Sequence, residues 1–423
     1  MTGRPVLPTL AGVLVVGAIA GCEEGPDPAN WPEQLAYGVR DSAGVTIVAS
    51  ASPATGSRLE WRVGPEPRVS VGAPTMDEDY QLYEVGDASR LADGRIVVAN
   101  GGSNQVLVFD HAGNYLAAWA GQGEGPGEFR SLGLVESWTA DSLIAADSEQ
   151  GRVSIFDLEG NHGRTTTLMG EPGGVSRFIS TNLREHRMTG LLPDGMILTR
   201  DPGAAFTEGF WRWDHAYGLA NADGSPAVSL GEYPGPEVYS ESVEVPEERM
   251  IYITPLRHPF GKTTFTAVWG DLVAFGRNET YEIRAFASDG SLARIVRREH
   301  VIGSPTEAQL DAAVRAYLAD LSDEDRNRRL EVAANVPMVE TFPAYSGLQV
   351  DALGHLWVRE FRLPGDDSEN PVWTVFDPEG RALGFVETPP GVTIYEIGAD
   401  YILGKRTDEL DIEYVEVWEL IRQ

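Results

Sequence analysis

The chain has 423 residues, of which 42% are hydrophobic and 23% are charged, and it contains 47 glycines and 27 prolines. This composition is too apolar for a disordered chain and too rich in turn-forming residues for a helical protein. Asp and Glu outnumber Lys and Arg by 64 to 33, and the formal net charge of −31 argues against DNA or RNA as a partner, because nucleic-acid binding needs basic side chains that neutralise phosphates.

The N-terminus has the pattern of an exported lipoprotein. A short apolar run over 10–20 has the length of a secretory signal peptide. It ends in Ile-Ala-Gly-Cys at 19–22, which resembles the bacterial lipobox, and Cys22 is the only cysteine of the chain. We therefore predict a signal peptide over 1–21, lipid attachment at Cys22 and an acidic, proline-rich tether over 22–36. The alternative is an ordinary secretory signal with an incidental cysteine.

One unit of sequence recurs along the rest of the chain. In its clearest copy, an apolar strand leads to Phe109, Asp110 and Gly113 supply turn chemistry, and a second strand follows, which predicts a β-hairpin. The next copy has its Phe-Asp pair at 156–157, so that Phe156 lies 47 residues after Phe109. A period of this length is typical of β-propeller blades.

Three further units keep the same order of strand, turn and strand. They begin near Leu191, Val268 and Val350, and the third unit is interrupted by an aromatic segment at 210–213. A helical insertion over about 304–334 separates the fourth unit from the fifth. It is predicted by Ser-Pro-Thr-Glu at its start, which has the form of a capping box, and by apolar residues at helical spacing after it.

The last stretch of the chain supplies only three strands, the final one over 412–421. An isolated strand pattern near the N-terminus, at 45–49, lacks a partner of its own. We predict that this strand pairs with 412–421 and closes the ring, because an unpaired edge would otherwise stay exposed. The result is a single domain of six blades over 37–423.

The repeated motifs resemble those of a known family. They are Leu-x-Asp-Gly before an apolar strand, a strand that ends in Phe-Asp-x-x-Gly, and the glycine-rich segment 121–129. These motifs resemble NHL-type repeats, and the chain resembles the six-bladed β-propeller lipoproteins of bacterial envelopes. The resemblance implies an all-β, six-bladed β-propeller that is exported. It implies no single activity, since propellers host lyases, lactonases, hydrolases and binding modules.

The sequence lacks the signatures of the common catalytic sites. It has no Gly-x-Ser-x-Gly nucleophile elbow, no His-Glu-x-x-His and no EF-hand loop, and its seven histidines are not paired at ligand spacing. The glycines of 121–127 fit an inter-blade turn better than a nucleotide loop, because Pro126 interrupts the fingerprint and no helix follows. We predict no cofactor, and a channel metal such as calcium stays open.

Two groups of polar residues are candidates for a site. Propeller lactonases and lyases that resemble this fold hold a metal in the central channel, and the residues that could do so here are Asn100, Asp147, Asp201 and Glu360. The favoured alternative is that these residues cap turns. The ligand-binding candidates are Arg184, Arg200, Arg257, His258, Tyr345 and Arg359, because arginine forks at the channel mouth suit a carboxylate. The alternative role of these arginines is ion pairing with the excess of acidic residues. The aromatic residues of 210–213 and Tyr345 either form a binding rim or pack between blades.

We therefore predict a binding or scaffolding propeller, anchored in the bacterial cell envelope through a lipid and not through a membrane span. Its partner would be an envelope protein, a peptide or a glycan, and we expect a monomer. The alternative function is a metal-dependent enzyme of the lactonase or lyase kind, which would need several acidic or amide side chains to converge on one point of the channel.

Overall fold

The computed structural model describes residues 37–72, 80–169, 187–201, 207–245, 250–319, 321, 323–363 and 370–422. From the N-terminus, the first strands are β1 (Tyr37–Ser42), β2 (Val45–Ser50), β3 (Arg62–Val71), β4 (Val85–Arg90), β5 (Ile96–Asn100), β6 (Gln105–Phe109), β7 (Tyr115–Trp119), β8 (Leu132–Thr139), β9 (Ser142–Asp147), β10 (Arg152–Asp157) and β11 (His162–Thr167). They are followed by β12 (Arg187–Leu191), β13 (Ile197–Asp201), β14 (Gly209–Trp211), β15 (Asp214–Ala220), β16 (Pro226–Pro234), β17 (Val238–Val245), β18 (Met250–Arg257), β19 (Thr264–Trp269), β20 (Leu272–Arg277), β21 (Glu282–Ala287) and β22 (Leu292–Arg298). Two helices, α1 (Glu307–Ala319) and α2 (Asp323–Ala334), precede β23 (Tyr345–Val350), β24 (Leu356–Glu360), β25 (Val372–Phe376), β26 (Ala382–Glu387), β27 (Val392–Ile397), β28 (Tyr401–Thr407) and β29 (Glu413–Ile421).

These strands form the six blades of a β-propeller. Blade 1 is β4–β7, blade 2 is β8–β11, blade 3 is β12, β13, β15 and β16, blade 4 is β19–β22, blade 5 is β23–β26, and blade 6 is β27–β29 with β3. Each blade is an antiparallel sheet, and the first strand of every blade lines one central cavity. The predicted all-β, six-bladed architecture is confirmed.

The hairpin that recurs in the sequence has the predicted turn chemistry. In blade 1, Asp110 Oδ1 accepts hydrogen bonds of 2.9 Å from the backbone N–H groups of Ala112 and Asn114. Gly113 has φ of +88°, a conformation that glycine adopts without steric cost. Phe109, at the end of the first hairpin strand, is completely buried between blades. The turn residues and the apolar strand ends therefore fix each hairpin locally.

An N-terminal strand completes blade 6, but it is not the predicted one. Strand β3 pairs with β29 in antiparallel fashion, with Val71 opposite Val415. Strand β2 instead pairs in parallel with β22 and, with β1, widens blade 4 to six strands. The prediction that 45–49 closes the ring is therefore wrong. The closing strand escaped notice because Pro65 and Pro67 interrupt its pattern, yet proline is tolerated on the outer strand of a sheet.

The helical insertion between blades 4 and 5 is confirmed, with one correction at its start. The side chains of Thr306 and Gln309 form the capping box: Thr306 N donates to Gln309 Oε1 (2.8 Å) and Gln309 N donates to Thr306 Oγ1 (3.3 Å). The predicted capping box is at residues 304 and 307 instead. Since α1 begins at Glu307, the capping box lies two residues later than predicted. Neither described helix has the length and hydrophobicity needed to cross a lipid bilayer.

A second insertion, a three-stranded sheet of β14, β17 and β18, was not predicted. It packs on the helices, with Leu256 of β18 buried against Val332 and Ala333 of α2. His258 Nε2 lies 2.8 Å from the backbone oxygen of Pro337, which joins the two insertions further. We call β14, β17, β18, α1 and α2 together the cap. In an antiparallel blade, the connection between the second and third strands and the connection that follows the fourth strand both lie at the end of the blade where the first strand begins. These are the connections that contain the cap, so both insertions lie at that end of the ring.

Candidate functional site

The central channel is the feature that all six blades build together. The first strands of the blades surround a cavity of about 710 Å³. Each strand contributes at least one polar side chain to the lining, and these are Asp87 and Ser89 of blade 1, Glu136 of blade 2, Thr189 of blade 3, Thr266 of blade 4, Gln349 of blade 5 and Glu396 of blade 6. The volume is in the range of small-molecule sites in proteins.

Local irregularities in the first strands direct these side chains. Five of the six described first strands, all except β19, have a register shift against the second strand, as a β-bulge produces. In blade 1 the shift falls at Gly86, where a Cβ atom would lie 2.7 Å from the backbone oxygen of Gly133. Glycine is therefore required for the close approach of blades 1 and 2, and this approach brings Asp87 to blade 2.

Two of the channel carboxylates join neighbouring blades. Asp87 Oδ2 accepts a hydrogen bond of 3.1 Å from the backbone N–H of Val135, in the first strand of blade 2. Glu396 Oε2, in blade 6, accepts hydrogen bonds of 3.0 Å from the hydroxyl of Ser89 and from the backbone N–H of Arg90 in blade 1. Both carboxylates therefore satisfy donors on a strand edge that faces the channel.

Glu136 differs from these two, because its carboxyl group forms no hydrogen bond with any described residue. Burial, and secondarily the charge of Glu396, raise its pKa from 4.5 to about 7. Burial also raises the pKa of Asp87 well above its usual range, although two backbone N–H groups bond to it. The acidic half of the channel thus carries a carboxyl group that can exchange a proton near neutral pH and that has a free oxygen for a ligand.

The other half of the channel is neutral. Thr189, Thr266 and Gln349 supply hydroxyl and amide groups there, and Gln349 Nε2 donates to the backbone oxygen of Ile394 (3.2 Å). Arg90 is the only basic residue among the described residues that line the cavity, and its guanidinium lies 4.6 Å from the ring centre of Tyr401. The channel therefore combines three carboxyl groups on one side with neutral hydrogen-bonding groups on the other.

The channel residues do not fit the metal centre that the family resemblance leaves open. Among the described residues, no group of three or more His, Cys, Asp or Glu side chains is arranged to hold a metal ion. Asp87 and Glu396 direct oxygens at backbone N–H groups, and a hard cation such as calcium needs six or more oxygen ligands.

The arginines predicted to bind a ligand do not converge on the channel. Arg184 and Cys22 lie outside the described residues. Arg359, in blade 5, has its guanidinium 6.0 Å from the ring centre of Trp373. None of the described arginines of this group lines the central cavity.

Arg200 and Arg257 do lie near one another, at the cap end of blade 3. After burial, which is the largest cause, the charges of these two arginines lower the pKa of His215 to about 4. Arg200 is directly opposite Tyr217 in the sheet, and neither Arg200 nor Arg257 forms an ion pair with a described carboxylate. Asp201 and Asp214 also lie near His215, and none of these residues lines the channel.

His258 and Tyr345 are structural residues, which corrects their assignment to a ligand site. The two ring nitrogens of His258 are both used, Nε2 with the backbone oxygen of Pro337 and Nδ1 with the backbone N–H of Phe260. Tyr345 is completely buried between blades 4 and 5. Neither side chain is accessible to a ligand.

The aromatic segment 210–213 belongs to the cap. The rings of Trp211 and Trp213 stack at 4.3 Å, and Trp211 Nε1 donates to Ser240 Oγ at 3.0 Å. Phe210 is 44% exposed, whereas Trp211 is buried. Packing is therefore the main role of this segment.

The residues considered for a channel metal serve the structure of the blades. Asn100 Oδ1 accepts from the backbone N–H of Tyr83 (2.8 Å), and Asp147 Oδ1 accepts from two backbone N–H groups of the following turn. Asp201 ends β13, outside the channel lining. Glu360 forms an ion pair of 2.9 Å with Arg298 between blades 4 and 5. Asp147 caps the turn that follows it, whereas Asn100 bonds to the backbone that precedes β4 and Glu360 pairs with a neighbouring blade.

Sequence reasoning missed the acidic residues of the channel. Asp87, Glu136 and Glu396 all lie in first strands, whereas the candidates had been chosen at the ends of second strands. A signal was present, because each of the three is an acid within a short strand pattern. It could be interpreted only once the first strands were known to face a common channel.

Comparisons with known proteins bear on the fold. Residues 79–176 match a family model described as a 6-bladed β-propeller, and no curated protein matches the chain significantly. Among solved structures, the chain is similar to a member of the DUF4221 family from Bacteroides vulgatus, at 8% identity and a TM-score of 0.47, over 87% of this chain and 100% of that one. It is also similar to virginiamycin B lyase from Staphylococcus aureus (10% identity, TM-score 0.40, 86% and 100% covered) and to a gluconolactonase from Xanthomonas campestris (14%, 0.39, 85% and 100%).

Proposed function

We propose that this protein is a ligand-binding propeller of the bacterial cell envelope, and that its central channel binds a small polar ligand with a cationic group. The observation that carries the proposal is the channel itself, in which a cavity of about 710 Å³ receives polar side chains from all six blades. The function is binding or scaffolding for a ligand or partner.

The preference for a cation follows from the charges. Carboxyl groups from three successive blades line one side of the cavity, and the one basic residue among the described lining residues is engaged with an aromatic ring. A cation beside Glu136 would favour its ionised form, and the carboxylate would gain a partner that it lacks among the described residues. An anionic ligand would be repelled by the negative charge of these carboxylates.

A titration with a simple diamine tests this proposal. Putrescine should bind in a saturable way, and affinity should rise as the pH passes upward through about 7, where Glu136 ionises. Glu136→Gln should weaken binding by about tenfold and remove most of the pH dependence, because a charge-assisted hydrogen bond contributes about 1.5–3 kcal/mol. Isothermal titration calorimetry measures both effects.

The matched control is Glu159→Gln, which removes an acid from an exposed turn of the same blade. It should bind putrescine like the wild type. Equal binding by wild type and Glu136→Gln at pH above 7 would contradict the proposed ligand site.

Attachment to the envelope is the second part of the proposal. It is supported by the apolar run and lipobox-like sequence that end in Cys22, the only cysteine of the chain. In a bacterial host, the wild type should sediment with membranes, whereas Cys22→Ser should appear in the soluble fraction, because one acyl-bearing residue supplies the anchor. If both variants fractionate alike, the lipid anchor is refuted.

One observation favours the alternative that the protein is a lactonase-like or lyase-like enzyme. A carboxyl group with a pKa of about 7 in a cavity is suited to general acid–base catalysis. Assay of lactone substrates separates the two functions: an enzyme should turn them over with a pH–rate profile that inflects near 7 and that is lost in Glu136→Gln, whereas a binding module should not turn them over.

A further inference from the structure

A second cavity lies at the rim of the ring, where the N-terminal strand joins blade 6 to blade 5. It measures about 750 Å³ and lies between the segment that leads into β3, the outer end of blade 5 and strands β28 and β29. The residues that matter for the argument are Trp61, Arg62, Pro389, Pro390, Arg406 and Trp418. We call this the seam cavity, and it shares no lining residue with the central channel.

Two buried polar atoms beside the seam cavity lack partners. Trp418 lines the cavity, is 7% exposed, and its indole Nε1 has no hydrogen-bond partner among the described residues. Glu416 is 0% exposed; Arg406 directs two hydrogen bonds, of 3.0 and 2.8 Å, at its Oε1, and no described residue bonds to its Oε2. A buried donor or acceptor left without a partner costs about 1–3 kcal/mol, so a hydrogen bond to a water molecule or to a ligand would stabilise each atom.

The two atoms belong to the same side of blade 6. Val415 and Val417 pack in the cluster shared with blade 1, whereas Trp418 and Leu420 pack in the cluster shared with blade 5. Since side chains alternate along a strand, Glu416 lies on the blade 5 side with Trp418. Arg406, which lines the cavity, reaches Glu416 from there. Trp418 thus presents an unpartnered donor to the cavity, whereas Glu416 does not line the cavity and is bonded by Arg406, which does.

The rest of the lining defines the chemistry of the ligand. Trp61, Pro65, Pro389 and Pro390 provide apolar surface. Arg62 is exposed and forms no ion pair with a described carboxylate. A ligand that fits this lining has C–H faces for the apolar groups and hydroxyl groups that both donate and accept hydrogen bonds.

We propose that the seam cavity is a carbohydrate-binding site. A sugar hydroxyl can accept from Trp418 Nε1, while the ring C–H groups contact the prolines. Arg62 at the entrance suits the carboxylate of an acidic sugar. The site is independent of the proposed function of the channel.

The test uses two disaccharide probes, maltose as a neutral sugar and digalacturonic acid as an acidic one. With ¹⁵N-labelled tryptophan, the indole resonance of Trp418 is assigned by its loss in Trp418→Phe and followed by NMR during each titration. A saturable shift of this resonance with either disaccharide is expected. Arg62→Gln should weaken the binding of digalacturonic acid at least tenfold and leave maltose nearly unaffected.

The control variant changes an arginine outside the seam cavity. Arg40→Gln removes an exposed arginine from β1 and should change nothing. Because Arg62 is exposed, Arg62→Gln is expected to fold even if Trp418→Phe does not. The proposal is overturned if neither disaccharide shifts the Trp418 resonance, which would indicate a cavity filled by water alone, or if sodium acetate produces the same shift, which would indicate a simple anion site.

Discussion

Replacing Glu360 by alanine should lower the free energy of unfolding by about 3–5 kcal/mol, because the change leaves a buried guanidinium without its counter-ion. The side chain of Arg298 is 2% exposed, and its Nη2 lies 2.9 Å from Glu360 Oε2. Glu360 also accepts hydrogen bonds from Tyr281 Oη (2.7 Å) and Thr374 Oγ1 (2.6 Å). This network joins blade 4 to blade 5, so its loss should weaken the ring at one blade interface.

Urea denaturation of the purified protein measures this effect. The matched control is Glu340→Ala, which removes an exposed glutamate and should stay within about 0.5 kcal/mol of the wild type. The double variant Arg298→Met with Glu360→Leu should recover part of the loss, because replacing both partners removes the unpaired charge. A loss below about 1 kcal/mol in Glu360→Ala would show that the ion pair is not important for the ring.

The second large effect concerns Glu136 and the dependence of stability on pH. The folded state raises the pKa of Glu136 from 4.5 to about 7. Below pH 4.5 the carboxyl of Glu136 is protonated in both the folded and the unfolded protein. Between pH 4.5 and 7 the unfolded chain ionises while the folded chain retains the proton, so this group makes stability fall as the pH rises through that interval. The loss is complete above pH 7 and amounts to at most about 3 kcal/mol.

Glu136→Gln lacks this titration. It should therefore unfold like the wild type near pH 4.5 and be more stable by up to about 3 kcal/mol near pH 8, which urea denaturation at the two pH values measures. Glu159→Gln, in an exposed turn, should follow the wild type at both. A variant that is no more stable than the wild type at the higher pH would mean that the carboxyl of Glu136 is ionised without cost in the fold. Stabilisation by loss of a channel carboxyl is the behaviour expected of a residue retained for binding.

Much of the fold is accessible from sequence because its determinants are local. The turn of the Phe109 hairpin depends on Asp110 and Gly113, which are three residues apart, and the same chemistry recurs in the blades that follow. The start of helix α1 likewise depends on the capping box of Thr306 and Gln309, which lies within four residues. Local signals of this kind are complete within a short window of sequence.

The elements that escaped prediction depend on distant partners. Strand β3 contains two prolines, and only its pairing with β29, more than 300 residues away, makes it a strand. Strand β14 has three residues and pairs with β17 across a whole hairpin of blade 3. Such pairings form only in the assembled ring, and no short window of sequence contains both partners.

The site was less predictable than the fold for a related reason. A polar residue at a strand end can cap a turn or face the channel, and the sequence is the same in both cases. Asp147 caps a turn and Asn100 bonds to the backbone of Tyr83, whereas Glu136, with no distinguishing motif, lines the channel. The pKa of Glu136 depends on burial and on Glu396, which is brought close only when the first and last blades meet.

The most direct test of channel binding is a titration of the Glu136 carboxyl by ¹³C NMR, assigned by its absence in Glu136→Gln, with and without saturating putrescine. The pKa of the free protein should be about 7, and putrescine should lower it, because a cation in the channel favours the ionised carboxyl. A pKa close to the ordinary value of 4.5 that putrescine leaves unchanged would contradict the assignment of the channel as the ligand site.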